Sequence, residues 1–421
     1  MWNEPIHVLG AGSIGLLWTA SIRSKFPTYP ITLLLRDHDR NRNRVANAVA
    51  AAGGGGAFGS SGGTDVRASA HDSRDRDHRI DISWNNRSLA PAKNDSDEQT
   101  SASTPTPTPQ PILSLPVQFI NDSNHEQEPI KTLIVTTKAH QAKQAVESVL
   151  DRLLLPAVTD GNSGSASSCS SPTQIILLCN GALSVRDELS KILTPQTPGT
   201  TDHPISLALA TTTHGAYLSE PHRLVHAGVG MTFLEQQQQQ QKQPMDNNNN
   251  TNSMAHLWNQ AGLNCTSLPS QQMNSILWNK LAANCVINPL TSIFRCTNGE
   301  LLLEPSFPEL KEDILNEVAG VAAGMAEITN AVGGDDAKNS SVVPTIDEMR
   351  TFVAQTIRDT HNNRSSMYQD IIIGHQPQTE IGHLNGYVVR KGKEMGKDCP
   401  ANEEMCSRIA ELSIQNSNRN R

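Results

Sequence analysis

The chain has 421 residues and a formal net charge of −8, and only 37% of its residues are hydrophobic and 4% aromatic. This length predicts two or three domains with a full core, while the low apolar content indicates that part of the chain does not pack. The negative charge without a basic stripe excludes nucleic acid as a partner, and no apolar run in the sequence is long enough to span a membrane.

A glycine-rich turn follows the first predicted strand, residues 6–9, and leads into an apolar helical pattern. The turn consists of Gly10, Ala11, Gly12, Ser13, Ile14 and Gly15. Gly10 permits the tight bend, Gly12 lets backbone amides approach a pyrophosphate at the helix N-terminus, and Gly15 lets helix and strand pack closely. Because a strand and a helix flank the turn, the pattern favours a dinucleotide-binding site over a plain structural turn.

The second predicted strand, residues 31–35, ends in Arg36. An NAD-binding domain usually has Asp or Glu here for the adenosine ribose, and a carboxylate would repel a 2′-phosphate. A guanidinium can instead pair with that phosphate through two hydrogen bonds. Arg36 therefore predicts NADP as the cofactor, against the alternative of a solvated surface arginine.

Three low-complexity tracts interrupt the pattern of elements. Residues 46–111 contain four consecutive glycines, a polar charged stretch and a Thr-Pro repeat, residues 157–172 are rich in Ser and Gly, and residues 236–253 hold a glutamine run followed by asparagines. Such compositions bury too little apolar surface to offset the entropy of ordering. They are predicted to be disordered insertions.

Two later buried strands also end in polar residues. The run at 133–137 leads to Lys138, and the run at 175–179 leads to Asn180. Open α/β sheets bind ligands beyond their strand ends, which favours both residues as site candidates over solvated loop residues. A further strand at 205–213 leads to Ala216, where small residues allow backbone to come close to a cofactor.

The most informative segment is an apolar helix with a polar stripe. Lys280, Asn284 and Asn288 stand four residues apart, so a helix places them on one face between apolar neighbours. Burying an ammonium and two amides costs several kcal/mol unless they find partners, which implies an internal hydrogen-bond network or a polar ligand. The alternative is a salt-bridged lysine with asparagines that cap backbone. Pro289 is predicted to end or kink the helix.

The seven cysteines include no Cys-x-x-Cys pair, and their odd number is typical of reduced thiols. His222 and His226 lie in a strand-like stretch without a partnering Cys or carboxylate, so we interpret them as structural. The N-terminus enters a strand pattern at once, without a signal or transit segment. We therefore expect a cytoplasmic protein without a metal site.

With these motifs together, the chain resembles the ketopantoate reductase (2-dehydropantoate 2-reductase) family across essentially its whole length outside the insertions. The block from Lys280 through Asn288 to Thr291 is long and specific, unlike the glycine fingerprint. The other matching segments are the glycine-rich turn, Lys138, Asn180 with Gly181, and residues 211–216, 298–301, 365–370 and 379–381.

The resemblance implies NADPH-linked reduction of a small keto acid, 2-dehydropantoate, toward pantothenate and coenzyme A, with Lys280 as proton donor. It implies a substrate shell of Asn284, Asn288, Asn298, Asn363 and Ser366. Beside the glycine-rich turn, it implies cofactor contacts from Arg36, Lys138, Asn180, Ala216 and Glu380. The stretch between Asp370 and Thr379 is longer than is usual in the family, which bears on where Glu380 falls.

The predicted fold class is α/β, with a Rossmann-type NADP-binding domain at 1–269, an all-α substrate and catalytic domain at 270–415, and a disordered tail at 416–421. Two alternatives stay open: a reductase of another small 2-keto acid, and a non-catalytic NADPH-binding sensor or scaffold. The expected partner is the keto-acid substrate, with no nucleic acid and no membrane, and a homodimer is left open.

Overall fold

The computed structural model describes residues 4–35, 79–86, 112–120, 128–154, 173–193, 205–220, 223–236, 253–332, 342–374, 376 and 378–418. Most of the low-complexity tracts lie outside these residues, including all of 157–172. Arg36 and His222 also lie outside them, so their predicted roles stay predictions.

A sheet of eleven strands forms the framework of the first half of the described chain. The strands are β1 (Ile6–Leu9), β2 (Ile31–Leu35), β3 (Arg79–Asn86), β4 (Ile112–Phe119), β5 (Thr132–Val135), β6 (Thr173–Leu177), β7 (Ile205–Thr212), β8 (Gly215–Glu220), β9 (Arg223–Gly228), β10 (Thr232–Glu235) and β11 (Cys265–Leu268). Their order is β11-β10-β7-β6-β5-β1-β2-β4-β3-β9-β8. The central strands are mainly apolar and almost entirely buried, as expected for a sheet covered on both faces.

The middle of this sheet has the Rossmann arrangement. From β4 through β2, β1, β5 and β6 to β7, every neighbouring pair is parallel. Counted along the chain without β3, this is the order 3-2-1-4-5-6, with the topological switch between β1 and β5. The predicted fold class is confirmed, and the switch point is where the glycine-rich turn and Lys138 follow their strands.

Strand β3 lies inside the predicted insertion 46–111. Its backbone pairs antiparallel with β4 and parallel with β9. In the sequence, Ile80, Ile82 and Trp84 alternate with polar residues, a period of two that is typical of strands. The prediction that this tract forms no element is therefore wrong for these 8 residues, because the average composition of a long tract hides a short alternation.

Helices cover both faces of the sheet. They are α1 (Ser13–Lys25), α2 (Ala139–Glu147), α3 (Leu150–Leu154), α4 (Ala182–Leu193) and α5 (Met254–Gln260). On one face, Trp18 of α1 and Trp258 of α5 are fully buried and meet edge to face, with ring centroids 5.6 Å apart. On the other face, α2 and α4 share an apolar cluster with the strands and with the helical half.

From residue 270 onward the described chain is helical, as predicted. The elements are α6 (Ser270–Phe294), a 3-10 turn (Glu300–Leu303), α7 (Phe307–Val332), α8 (Ile346–Asp359), α9 (Ser366–Tyr368) with a π-helical turn (Gln369–Ile373), a second 3-10 turn (Glu380–His383), α10 (Asn385–Glu394) and α11 (Pro400–Asn418). Leu281 and Val286 of α6 belong to the same apolar cluster as Leu177 of β6. The two halves thus pack against each other through a common core.

The last helix, α11, extends into the tail predicted from residue 416. It continues to Asn418, and Asn416 is buried within it. The predicted tail therefore starts too early, because the polar composition of this end hides a helix that packs through one face. Neither α11 nor any other helix in the described part of the chain is long and apolar enough to cross a membrane.

Candidate active site

The glycine-rich turn after β1 is shaped by two positions that cannot accept a side chain. Gly10 has φ +116°, in the region that only glycine adopts readily. A Cβ on Gly15 would lie 2.0 Å from the Gly10 carbonyl oxygen, so α1 could not pack this closely on β1 with any other residue there. Around Gly12 nothing lies within 4 Å of a Cβ position. The turn therefore places the accessible N-terminus of α1 at the carboxyl end of β1.

A cleft of about 700 Å³ lies beyond the strand ends, between the sheet and the helical half. It is bordered by residues that directly follow β1, β5 and β6, which is where ligands bind in open α/β sheets. The predicted site residues that line it are Gly12, Ser13, Ile14, Lys138, Asn180, Ala216, Lys280, Ser366 and Glu380. Residues more than 350 positions apart in the chain thus meet in one site, as Gly12 and Glu380 do.

Lys280 reaches this cleft from α6. Its Nζ donates to Thr211 Oγ1 at 2.7 Å and to the Thr212 carbonyl oxygen at 3.1 Å. Burial lowers the pKa of Lys280 to about 8, while the nearby Cys179 and Glu380 side chains act in the opposite direction. Burial also raises the pKa of the Cys179 thiol to about 12. Near neutral pH the lysine is therefore protonated, yet poised to release a proton.

Glu380 connects the helical half to the sheet. Its Oε1 accepts a hydrogen bond from the Ala139 N–H at 3.1 Å, and its Oε2 accepts one from Asn180 Nδ2 at 3.2 Å. Ala139 is the first residue of α2, so the carboxylate lies at the positive end of that helix dipole. Glu380 begins a 3-10 turn that follows the π-helical turn at Gln369–Ile373 and the long stretch before Thr379. In this position Glu380 reaches the cleft. Glu380 thereby fixes the direction of the Asn180 amide.

Lys138 also contacts the opposite wall of the cleft. Its Nζ forms an ion pair with Asp370 Oδ1 and lies 3.4 Å from Gln376 Oε1. Lys138 begins α2 as its N-cap, so its position is set by the end of β5. The ion pair is a further polar connection between the sheet and the helical half, beside those of Lys280 and Glu380.

The predicted polar stripe lies on one continuous helix, α6. Lys280 lines the cleft, and Asn284 lines a small adjoining cavity of about 20 Å³ together with Leu277. Asn288 is buried one turn further along the helix. Of the two predicted effects of Pro289, an end or a kink of the helix, the end is excluded, since α6 continues to Phe294. A donor from a neighbouring helix compensates for the proline, as described below.

Asn298 and Asn363 lie away from the cleft and hold their own segment together. The Asn298 backbone N–H donates to the Asn363 carbonyl oxygen at 2.9 Å, and Asn298 Nδ2 donates to Thr360 Oγ1 at 2.8 Å. Asn298 is buried and Asn363 is exposed. Of the predicted substrate shell, the structure therefore brings Ser366 to the main cleft and Asn284 to its side cavity.

His226 is paired with another histidine. His214 Nδ1 lies 2.9 Å from His226 Nε2, and His214 Nε2 lies 3.1 Å from the Leu263 carbonyl oxygen. Burial lowers the pKa of both rings, which favours the neutral forms. Within the described residues no group of three potential metal ligands occurs. The pair stabilises the segment between β7 and β8.

Sequence reasoning did not single out two residues that the fold brings to the site. Thr211 holds the ammonium of Lys280, and Asp370 pairs with Lys138. Both lie in segments that match the ketopantoate reductase family. The sequence therefore indicated these segments but not the contacts that the two side chains make. Tyr217, 43% exposed, also lines the cleft, and no pattern in the sequence signals it.

A Rossmann sheet whose glycine-rich turn shares a cleft with a half-buried lysine from a helical half defines a two-part dinucleotide-dependent oxidoreductase. The family model described as ketopantoate reductase PanE/ApbA matches residues 6–239, and its C-terminal counterpart matches residues 272–413. The chain belongs to this ketopantoate reductase family.

Individual proteins agree with this assignment. The 2-dehydropantoate 2-reductase of Vibrio cholerae is 29% identical over 297 residues, which cover 70% of this chain and 82% of that protein. The structure of D-mandelate dehydrogenase with NADH and anilino(oxo)acetate superposes with a TM-score of 0.62 at 17% identity, covering 98% of this chain and 99% of that one. A dimeric ketopantoate reductase from Staphylococcus aureus has a TM-score of 0.56 at 14% identity, covering 98% and 100%. At these identities the two solved structures show the fold alone.

Proposed function

We propose that this enzyme reduces 2-dehydropantoate to (R)-pantoate with NADPH, a step toward pantothenate and coenzyme A. The observation that carries the proposal is Lys280, a protonated lysine with a pKa of about 8, held by Thr211 at the cleft between the two halves. A keto group that gains a hydride must also gain a proton on its oxygen. The name of the Vibrio cholerae relative supports 2-dehydropantoate as the substrate.

The cofactor fits the open side of the cleft. Backbone N–H groups at the start of α1 would hold the pyrophosphate beside Gly12, where no protein atom blocks the approach. Bound NADPH supplies the hydride. One further proposed cofactor contact is Arg36, which directly follows β2 in the sequence. The others are four residues of the cleft wall, Lys138, Asn180, Ala216 and Glu380. Lys138 would exchange part of its pairing with Asp370 for a negatively charged cofactor group.

The substrate is proposed to lie against α6. Lys280 gives its proton to the keto oxygen and stabilises the charge that develops there. Asn284, at the side cavity, and Ser366, in the cleft, orient the keto acid through hydrogen bonds. Asn288, Asn298 and Asn363, the other members of the predicted shell, do not line the cleft or its side cavity in the described structure, so a direct substrate contact from them stays a prediction.

A second candidate is reduction of another small 2-keto acid. It is supported by the D-mandelate dehydrogenase structure, whose fold covers nearly the whole chain. The groups that bind a carboxylate and a keto oxygen would be alike in both enzymes. A non-catalytic NADPH sensor is less well supported than either reductase, because a protein that only binds NADPH does not require a lysine with a lowered pKa in the cleft.

The test of substrate choice is NADPH consumption by the purified protein. We expect kcat/KM for 2-dehydropantoate to exceed that for pyruvate, 2-oxoisovalerate and the keto acid of mandelate. A higher value for one of the other three acids would establish the second candidate. NADPH binding without consumption of any acid would favour the sensor.

The pKa of Lys280 predicts where activity is lost with pH. The donor must be protonated, so activity is present below its pKa and falls as pH rises through it. We expect kcat/KM to be level below about pH 8 and to fall about tenfold per pH unit above it. Measurement of NADPH affinity over the same range is the control. A break near the ordinary lysine value of 10.5 would contradict the lowered pKa of Lys280, and a rate that stays level through pH 10.5 would contradict its role as proton donor.

Arg36 is predicted to select NADPH over NADH. Replacing Arg36 with Ala should weaken NADPH binding by about 1.5 to 3 kcal/mol and leave NADH binding nearly unchanged, because charge-assisted hydrogen bonds to the 2′-phosphate are lost. Titration calorimetry with both cofactors measures this difference. Lys25→Ala, at the far end of α1, is the matched control for Arg36→Ala, because it also removes one positive charge. Equal losses for both cofactors would remove Arg36 from phosphate recognition.

We also propose the division into a cofactor domain at 1–269 and a catalytic domain at 270–415. The helical start at Ser270 supports the boundary. A homodimer is proposed by analogy with the dimeric relative from Staphylococcus aureus. A cytoplasmic setting is proposed from the six cysteines in the described residues, all of which are unpaired.

A further inference from the structure

Helix α6 contains a proline in its interior. Pro289 has no backbone N–H, so the carbonyl of Cys285, four residues earlier, loses its usual donor from its own helix. Cys285 is fully buried, where water cannot replace the missing bond. An unpaired buried carbonyl normally kinks or ends a helix, yet α6 continues to Phe294.

A side chain from α10 supplies the missing donor. Asn385 Nδ2 donates to the Cys285 carbonyl oxygen at 3.0 Å and to Asn402 Oδ1, also at 3.0 Å. Asn385 is fully buried. Both hydrogens of its amide are therefore used, and the direction of the amide is fixed by two acceptors on different helices.

The second acceptor is itself held in place. Asn402 Nδ2 donates to Glu317 Oε2 at 2.7 Å, and Glu317 also accepts the backbone N–H groups of Ala401 and Asn402 at 2.8 and 2.9 Å. These N–H groups belong to the first turn of α11, where a carboxylate is favoured by the helix dipole. Asn385 is thus anchored to α7 and α11 and presents a rigid donor to α6.

The supported carbonyl belongs to the same stretch of α6 as the polar stripe Lys280, Asn284 and Asn288. Cys285 follows Asn284 directly and precedes Asn288 by three residues. We infer that Asn385 is a positioning residue: by replacing the helical bond that Pro289 removes, it sets where Asn284 and Asn288 stand relative to Lys280. The inference rests on the proposed function for its kinetic consequence, and on the hydrogen bonds alone for its structural part.

The first test removes the donor and keeps the shape. Asn385→Leu has the same branching without an N–H, so the Cys285 carbonyl loses its partner. We expect the KM for 2-dehydropantoate to rise about 10- to 100-fold, because small displacements of orienting groups have effects of that size. NADPH affinity should stay within about twofold, since the two hydrogen bonds of the Asn385 amide go to Cys285 and Asn402 and to none of the proposed cofactor contacts.

The second test restores the helical donor. Pro289→Ala provides an N–H at position 289, so the Cys285 carbonyl no longer needs Asn385. In the double variant P289A/N385L we expect KM to return most of the way to the wild-type value. Val388→Ala is the matched control, because it weakens the same helix, α10, at a buried site without removing the side-chain donor to the Cys285 carbonyl. Its KM should stay near wild type.

The outcomes separate the inference from the proposed function. A KM for N385L equal to that of V388A, or a double variant no better than N385L, would overturn the positioning role. If N385L is insoluble, a soluble and active double variant supports the role and an insoluble one overturns it. If the wild type does not reduce 2-dehydropantoate, the proposed function fails. Urea unfolding of the wild type, N385L, P289A and the double variant then tests the hydrogen bond from Asn385 to the Cys285 carbonyl. N385L should lower the unfolding midpoint less when Ala occupies position 289.

Discussion

Replacing Lys280 with alanine is expected to lower turnover by about 10²- to 10⁴-fold while NADPH still binds, because a positioned general acid contributes that much. The ammonium is held by Thr211 and Thr212 at the cleft, and the glycine-rich turn lies on the sheet side of it. Stopped-flow NADPH oxidation measures the loss, and fluorescence titration measures cofactor affinity. Asn284→Ala should act mainly on substrate affinity, because its amide orients the ligand without transferring a proton.

Two further variants separate catalysis from structure. Lys280→Arg keeps the charge but cannot give up its proton near neutral pH, so it should be almost as slow as the alanine variant. Lys143→Ala removes an exposed lysine from α2 and should turn over normally. A Lys280→Ala protein that binds NADPH and keeps near-normal turnover would remove Lys280 from the mechanism. It would also leave the functional proposal resting on family membership alone.

The second large effect is expected at Gly15. Alanine there would place Cβ 2.0 Å from the Gly10 carbonyl oxygen and 2.5 Å from Thr136 Oγ1, so α1 must move away from β1. We expect the free energy of unfolding to fall by about 3 kcal/mol or more, as for severe overpacking of a core. Urea unfolding followed by circular dichroism measures the change.

Gly12→Ala is the matched comparison. Its Cβ meets no atom within 4 Å, so the free energy of unfolding should be unchanged. The added methyl instead occupies the space through which backbone amides would approach a pyrophosphate. NADPH affinity should therefore fall by about tenfold or more, equivalent to about 1.4 kcal/mol. Wild-type affinity in G12A would mean that the cofactor binds elsewhere in the cleft.

Local patterns were sufficient for the parts of the site that follow directly from one element. The turn from Gly10 to Gly15 needs only a strand before it and a helix after it, and both are present. The spacing of Lys280, Asn284 and Asn288 predicted one helical face, because a helix returns to the same side about every four residues. That α6 continues past Pro289 could not be predicted locally, because the donor to the Cys285 carbonyl, Asn385, lies 100 residues away in the chain.

By itself the sequence determined the central buried strands, the glycine-rich turn, the polar face of α6 and the family to which these belong. These features depend on neighbours within a few residues, which periodicity and turn chemistry record. The tertiary structure alone decided which side chains meet. It brought Lys280 to Thr211, Asp370 to Lys138 and Glu380 to the start of α2. Such pairings join residues roughly 70 to 240 positions apart, and their geometry is fixed only when the two halves pack on one core.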